Sequence, residues 1–191
     1  ECMARGQHVC RFRFKGKSGK EWNLKVSDRR IAKVVSACAD IEGQELFKYI
    51  DEAGQVRDVT SGDVNTYLRD ITGDDFTAKD FRTWTGTVLA AMALSDYREV
   101  DSEAQAKKNV VAAIETVSAR LGNTPSVCRK SYVHPEVINA YLDGDLIAQI
   151  GGEIDQSLDD GGLRPEEVCV LKLLKRRLAT GSESDRSAGR P

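Results

Sequence analysis

From Cys10 the chain alternates apolar and polar residues: Phe12 and Phe14 fall on one side, Arg11, Arg13 and Lys15 on the other. That spacing predicts a half-buried strand. Gly16-Lys17-Ser18-Gly19 reads as a turn, and Trp22, Leu24 and Val26 resume the alternation on a return strand. The period then lengthens. Asp28 opens an amphipathic helix through Ile31, Val34, Val35 and Cys38, and Leu46–Val59 reads as a second short hairpin, or a strand and loop, around Gly54. A short helix capped by Ser61 carries Val64, Tyr67 and Leu68. Thr77 begins a more apolar one, with Phe81, Trp84, Val88, Leu89 and Met92 at helical spacing and Arg82 near its start. A long helix follows from Ser102 to Leu121, with Val110, Val111, Ile114 and Val117 on one face and Gly122 as its stop. A brief helical piece ends at Tyr132, and Pro135 starts another helix through Val137, Ile138 and Leu142.

Beyond Asp143 the pattern thins through Gly144, Gly151, Gly152, Gly161 and Gly162. A last helix, Pro165 to Leu178, carries Val168, Val170, Leu171 and Leu174. The closing GSESDRSAGRP is small and polar and is expected to be disordered. No internal repeat emerges. The expected fold is mainly α with a small β-hairpin element, an α+β domain over residues 1–144, followed by a helical extension over 145–180 and a tail over 181–191.

Composition narrows the function classes. The 191 residues are 40% hydrophobic and 30% charged, ordinary for a domain with a real core, and no apolar run is long enough to cross a bilayer. The opening ECMARGQHVC has no apolar stretch of the signal-peptide kind. Cys2, Cys10, Cys38, Cys128 and Cys169 are odd in number and form no CxxC pair, so the spacing suggests neither a disulfide frame nor a zinc site. A reducing, cytoplasmic setting is expected. The net charge of −2 hides an asymmetry: ten Lys/Arg face two acids between Arg5 and Lys33, and eleven acids face four cations between Asp40 and Asp80. Such a division suits one face made for a polyanion, or simply a solvated basic hairpin.

The candidate chemistry lies in LGNTPSVCRKSYV, Leu121 to Val133. A free phenol titrates near a pKa of about 10 and is a weak nucleophile at neutral pH, and neighbouring cations favour its phenolate. Arg129 and Lys130 shortly precede Tyr132. The same pattern also fits a half-buried tyrosine anchor with a wet hydroxyl.

Three blocks in order, FKGKSGKEW (14–22), KDFRTW (79–84) and LGNTPSVCRKSYV (121–133), with 132 − 123 = 9 residues from turn asparagine to tyrosine, resemble the catalytic domain of type IB DNA topoisomerases of the compact bacterial and poxvirus kind. The resemblance runs from about Arg11 to about Leu142. It implies the topoisomerase IB/tyrosine recombinase catalytic fold, duplex DNA as partner, action as a monomer away from any membrane, and nucleoid-associated work in the cytoplasm. It further implies that Tyr132 attacks a phosphodiester and is linked to the 3′-phosphate, that Arg82 binds the scissile phosphate, and that Lys17 acts as general acid on the leaving 5′-oxygen. Asn123 stands where many members have histidine and some bacterial members have asparagine. Arg13, Lys15, Lys20, Arg129 and Lys130 are candidate phosphate contacts. The implied transesterification conserves bond energy and needs no ATP, metal or other cofactor.

The family also uses an arginine well upstream of the hairpin lysine and an N-terminal clamp domain. Neither matches any part of this sequence, so the chain reads as N-terminally incomplete. Two other readings stay open. One is a tyrosine recombinase, although KDFRTW lacks the His-x-x-Arg arrangement of that group; the other is a non-catalytic DNA-binding fragment. Individual residues have plainer readings too: Arg82 paired with Asp80, Lys17 as a turn lysine, Asn123 as a left-handed helix stop.

Overall fold

Alternating side chains need a sheet to bury one of their faces, and the first part of the chain forms one. In the computed structural model, which describes residues 2–4, 9–16, 19, 21–97, 102–150 and 162–188, the chain divides into two units, Glu1–Phe76 and Thr77–Pro191. In the first, β1 (Cys2–Ala4), β2 (Val9–Lys15) and β3 (Glu21–Ser27) form an antiparallel sheet in the order β1-β2-β3. The β2–β3 register pairs Cys10 with Val26, Phe12 with Leu24 and Phe14 with Trp22. The Phe14 and Trp22 rings stack with centroids 6.4 Å apart. On the alternate positions Arg11 lies opposite Lys25, Arg13 opposite Asn23 and Lys15 opposite Glu21. Two cations opposite one another repel, which a polyanion relieves.

Helix α1 (Arg29–Ala39) starts where expected. The Asp28 carboxylate accepts from the Arg30 and Ile31 amides at 2.8 and 3.1 Å, and these bonds hold its carboxyl below the ordinary range. Ala32 and Val35 bury against Cys10, with Phe12 and Leu46 packed around them. Ile31 and Val34, expected on the same buried stripe, are 46% and 60% exposed. Strands β4 (Lys48–Ile50) and β5 (Val56–Asp58) make the second hairpin. Asp51 ties its turn by accepting from the Ala53 and Gln55 amides and from Arg57 Nε. Helix α2 (Ser61–Thr72) is capped by Thr60, not Ser61. Thr60 Oγ1 accepts from the Asp63 amide while the Asp63 carboxylate accepts from the Thr60 amide, a reciprocal pair that Ser61 has no acid in position to make.

The second unit is helical: α3 (Ala78–Ser95), α4 (Glu103–Leu121), α5 (Pro125–Ser131), α6 (Pro135–Leu142), α7 (Asp145–Ile150) and α8 (Pro165–Ala188). Its core gathers Val88, Ala91 and Leu94 of α3, Val110, Ile114 and Val117 of α4, Val137 and Tyr141 of α6, Leu146 of α7, and Val170 and Leu173 of α8. Each fully buried Leu or Val contributes about 1.5–3 kcal/mol relative to exposure. Phe81 and Val111 are exceptions to the expected stripes, at 54% and 53% exposed.

Two features depart from the sequence pattern after Gly144. The thinned stretch holds a short helix, α7, and Leu146 and the α8 residues belong to the same core as α3 and α4, so no break in packing accompanies the boundary drawn at 144. The backbone of 181–188, expected to be disordered, continues α8 as far as Ala188; no proline stands between Pro165 and Pro191 to stop the ladder.

Helix α8 is fastened at two places. Trp84 Nε1 donates to Glu167 Oε1 at 3.1 Å near its start. Farther along, Arg177 donates to Glu136 Oε2, Asp143 Oδ2 and Asp145 Oδ2 at 2.7, 2.7 and 2.8 Å. Glu136 first, then Asp143, pushes the guanidinium pKa up, and Arg177 in turn holds Glu136 below its ordinary range. Among the described residues, no helix is long and apolar enough to cross a membrane.

Candidate active site

Helix α3 sets one wall of the site. Thr77 stands before it, its amide and hydroxyl donating to the Asp80 carboxylate at 2.9 and 2.7 Å. Those bonds occupy Asp80, and Arg82, two residues on, turns to another element. Arg82 Nη2 donates to the Leu121 carbonyl and to Asn123 Oδ1, the latter at 3.3 Å. Its Cζ lies 5.1 Å from the centroid of the Tyr132 ring, over the ring.

The end of α4 supplies the second wall. Gly122 takes the left-handed conformation, φ 75°, that lets the chain reverse, and its amide donates to the Ser118 carbonyl. The left-handed stop at the end of α4 is thus Gly122, and the Asn123 side chain faces Arg82. Oδ1 accepts from the guanidinium, and Nδ2 is buried with no hydrogen-bond partner among the described residues. A buried amide donor without an acceptor costs stability, about 1–3 kcal/mol, unless something supplies the acceptor.

Thr124 and Pro125 then start α5, with Thr124 Oγ1 accepting from the Val127 amide. One turn of helix carries the chain from Cys128 to Tyr132, whose amide donates to the Cys128 carbonyl at 2.9 Å. Cys128 is fully buried. Burial pushes its thiol pKa up, and the positive charge of Arg82 opposes that shift. Tyr132 is half-buried and closes α5 with φ −133° and ψ 0°. It is thus neither sunk in the core nor remote from Arg82.

The backbone after α5 lies along α3. Thr87 Oγ1 accepts from the His134 amide at 3.1 Å and donates to the Thr83 carbonyl at 2.8 Å. The Thr83 hydroxyl donates to the Lys79 carbonyl at 3.0 Å, with the Ser131 carbonyl a second acceptor at 3.4 Å. Between those threonines is Gly86, where a Cβ would stand 2.3 Å from the Tyr132 carbonyl oxygen. His134 caps α6, its Nδ1 accepting from the Glu136 amide at 3.2 Å. Sequence reasoning gave no role to Thr83, Gly86 or Thr87. A glycine inside an otherwise apolar helix was the available signal, because glycine is costly there unless another backbone comes close.

Of the other candidate residues, Arg129 and Lys130 are exposed and line an open groove of about 460 Å³ with Ser126, Val133, Pro135, Ile138 and Asn139. Arg13 and Lys15 are exposed on β2 in the first unit. Lys17 and Lys20 lie outside the described residues. The site of the second unit therefore holds a guanidinium, an amide and a phenol brought together from α3, the α4–α5 turn and the end of α5. Guanidinium and amide donors suit the oxygens of a phosphate, and a phenol suits attack on its phosphorus.

Residues 1–153 match the family model for the eukaryotic DNA topoisomerase I catalytic core. A DNA topoisomerase 1B of Acanthamoeba polyphaga mimivirus is 31% identical over 140 residues, which are 70% of this chain and 42% of the viral protein. The chain thus spans less than half the length of that relative. Taken with the mainly helical fold and its small antiparallel hairpins, these matches show that the chain belongs to the type IB DNA topoisomerase catalytic-core family.

Proposed function

We propose that this chain provides the cleavage and religation chemistry of an ATP-independent type IB topoisomerase acting on supercoiled duplex DNA. The observation that carries the reading is the meeting of Arg82, Asn123 and Tyr132, with the Arg82 guanidinium 5.1 Å from the Tyr132 ring and 3.3 Å from Asn123 Oδ1. Tyr132 Oη, its proton passing to solvent water, attacks the phosphorus of one strand. A tyrosyl–phosphate bond forms to the 3′-phosphate and the bond to the 5′-oxygen breaks, releasing a 5′-hydroxyl end. Lys17, as the family resemblance implies, gives its proton to that oxygen. As negative charge gathers on the non-bridging oxygens, Arg82 and the Asn123 amide nitrogen donate to them. Rotation of the free end relieves supercoiling, and attack of the 5′-hydroxyl on the phosphotyrosine reverses every bond change.

The basic face of the β2–β3 hairpin, with Arg13 and Lys15, and the exposed Arg129 and Lys130 support a role in holding the DNA backbone. Plasmid relaxation without ATP or magnesium, beside a Tyr132→Phe variant, tests the proposal. Relaxation with a covalent protein–DNA adduct, both abolished by the substitution, is the expected result. Strand exchange between two duplexes would instead favour the recombinase reading. DNA binding with no adduct would overturn cleavage altogether.

A further inference from the structure

Helix α3 does more than carry Arg82. Three of its positions, Thr83, Gly86 and Thr87, lie within about one turn of each other and face the segment Ser131–His134. At the middle position the Tyr132 carbonyl oxygen occupies space that any side chain would need, with a Cβ on Gly86 falling 2.3 Å from that oxygen and 3.2 Å from its carbon. The clash is with backbone, which cannot rotate aside as a flexible side-chain end can. Restoring even 3.0 Å requires a movement of 3.0 − 2.3 = 0.7 Å.

We propose that Gly86 is a positioning residue for the nucleophile: its missing Cβ seats the Tyr132 backbone directly on α3, one turn from Arg82. The inference rests on Tyr132 and Arg82 being the nucleophile and phosphate ligand proposed above. The seat fixes the relative placement of phenol and guanidinium, because both are referenced to a single turn of one rigid helix rather than to separate elements. Thr87 guards its edge by accepting from the His134 amide at 3.1 Å, which holds the chain leaving Tyr132 against the same turn. The arrangement explains a glycine at a helix-interior position that alanine would otherwise favour.

The experiment uses the 191-residue chain, a duplex whose cleaved end diffuses away, and four readouts: the single-turnover rate of adduct formation, DNA affinity, the thermal midpoint, and hydrogen exchange at the His134 amide. A misplacement approaching 1 Å costs on the order of 10² in rate. Gly86→Ala is expected to slow adduct formation by about that factor with affinity changed less than about twofold and with faster exchange at His134. Adduct formation at the wild-type rate overturns the proposal, as does a loss of rate, affinity and thermal midpoint in parallel. Should Gly86→Ala fail to fold, Thr87→Val and Thr87→Ser carry the test: serine keeps the hydroxyl and should cleave like wild type, valine should not, and equal rates overturn the seat. A wild-type chain that forms no adduct refutes the functional reading instead. The seat is then decided by exchange alone, since unchanged protection of His134 in Gly86→Ala removes it.

Discussion

Asn123→Asp exchanges one atom for another of nearly the same size, so whatever it changes is electrostatic. In the native protein Asn123 Oδ1 accepts from Arg82 Nη2 at 3.3 Å while Nδ2 is buried and unpartnered among the described residues. Aspartate keeps the acceptor and strengthens the bond to Arg82 by making it charge-assisted. It also replaces the unsatisfied donor by a charged oxygen in the same buried place, a desolvation cost that works against the stronger bond to Arg82, so the thermal midpoint should change little. The reaction should suffer far more. Loss of one oxyanion donor costs about 2.7–4 kcal/mol, on the order of 10²–10³ in rate. A carboxylate facing the phosphate adds like-charge repulsion and draws on the guanidinium that the phosphate needs, so the loss should reach at least about 10³. Single-turnover adduct formation measures the rate, and circular dichroism on heating measures the stability. A variant cleaving at more than about a tenth of the wild-type rate would show that Asn123 Nδ2 does not touch the charge that develops, and would refute the reasoning.

Arg177→Met should lower stability at neutral pH by about 2 kcal/mol, since one well-covered charge-assisted bond to Glu136 is worth about 1.5 kcal/mol and the two bonds to more exposed aspartates a few tenths each; for a chain of this size that is roughly 4–8 °C in thermal midpoint. The same contact sets a pH dependence. Arg177 holds Glu136 below its ordinary value of 4.5, so the stabilisation is complete above that value and is lost as pH falls through the lower folded one. Thermal midpoints should therefore drop below about pH 4.5, and less steeply in Arg177→Met than in wild type. Replacing Arg129 and Lys130 by alanine should weaken DNA binding at low salt and reduce the slope of log affinity against log salt by about 0.9 per lost phosphate contact; an unchanged slope would remove them from the interface.

Helix boundaries were legible wherever a local chemical rule fixes them. Asp28, Thr77 and Ser102 stand before helices, and Gly122 after one, for reasons contained in four or five residues. Thr60 and Ser61 show the limit of that rule: both can cap, and the acid three residues after Thr60 decides between them. The candidate reacting residues stood out by type and spacing, yet three facts about them did not. Sequence gives no sign that Arg82 turns from Asp80 to the α4–α5 turn, that Asn123 Oδ1 rather than Nδ2 is the satisfied atom, or that the Tyr132 carbonyl rests on Gly86. Each depends on elements 39 or more residues apart meeting at one place, and pairings across such distances leave no periodic trace.

The same physics explains why the segment beyond Gly144 read as an appendage. Its apolar residues are few, but Leu146, Val170 and Leu173 are fully buried, and Arg177 alone bonds carboxylates on α6, on α7 and at Asp143 between them. Helix α6 begins three residues after Tyr132, and Glu167 near the start of α8 holds Trp84, two residues after Arg82. Helix α8 therefore ties α3, which carries the guanidinium, to α6, which follows the phenol by three residues. Loosening it should reach the reaction as well as the stability: Glu167→Gln keeps an acceptor for Trp84 but loses the charge that Arg164 pairs with, whereas Glu167→Ala loses both. If α8 acts on the site through Trp84, adduct formation should fall in Glu167→Ala and recover most of the way in Glu167→Gln. Equal rates in the two variants would confine α8 to holding the core together.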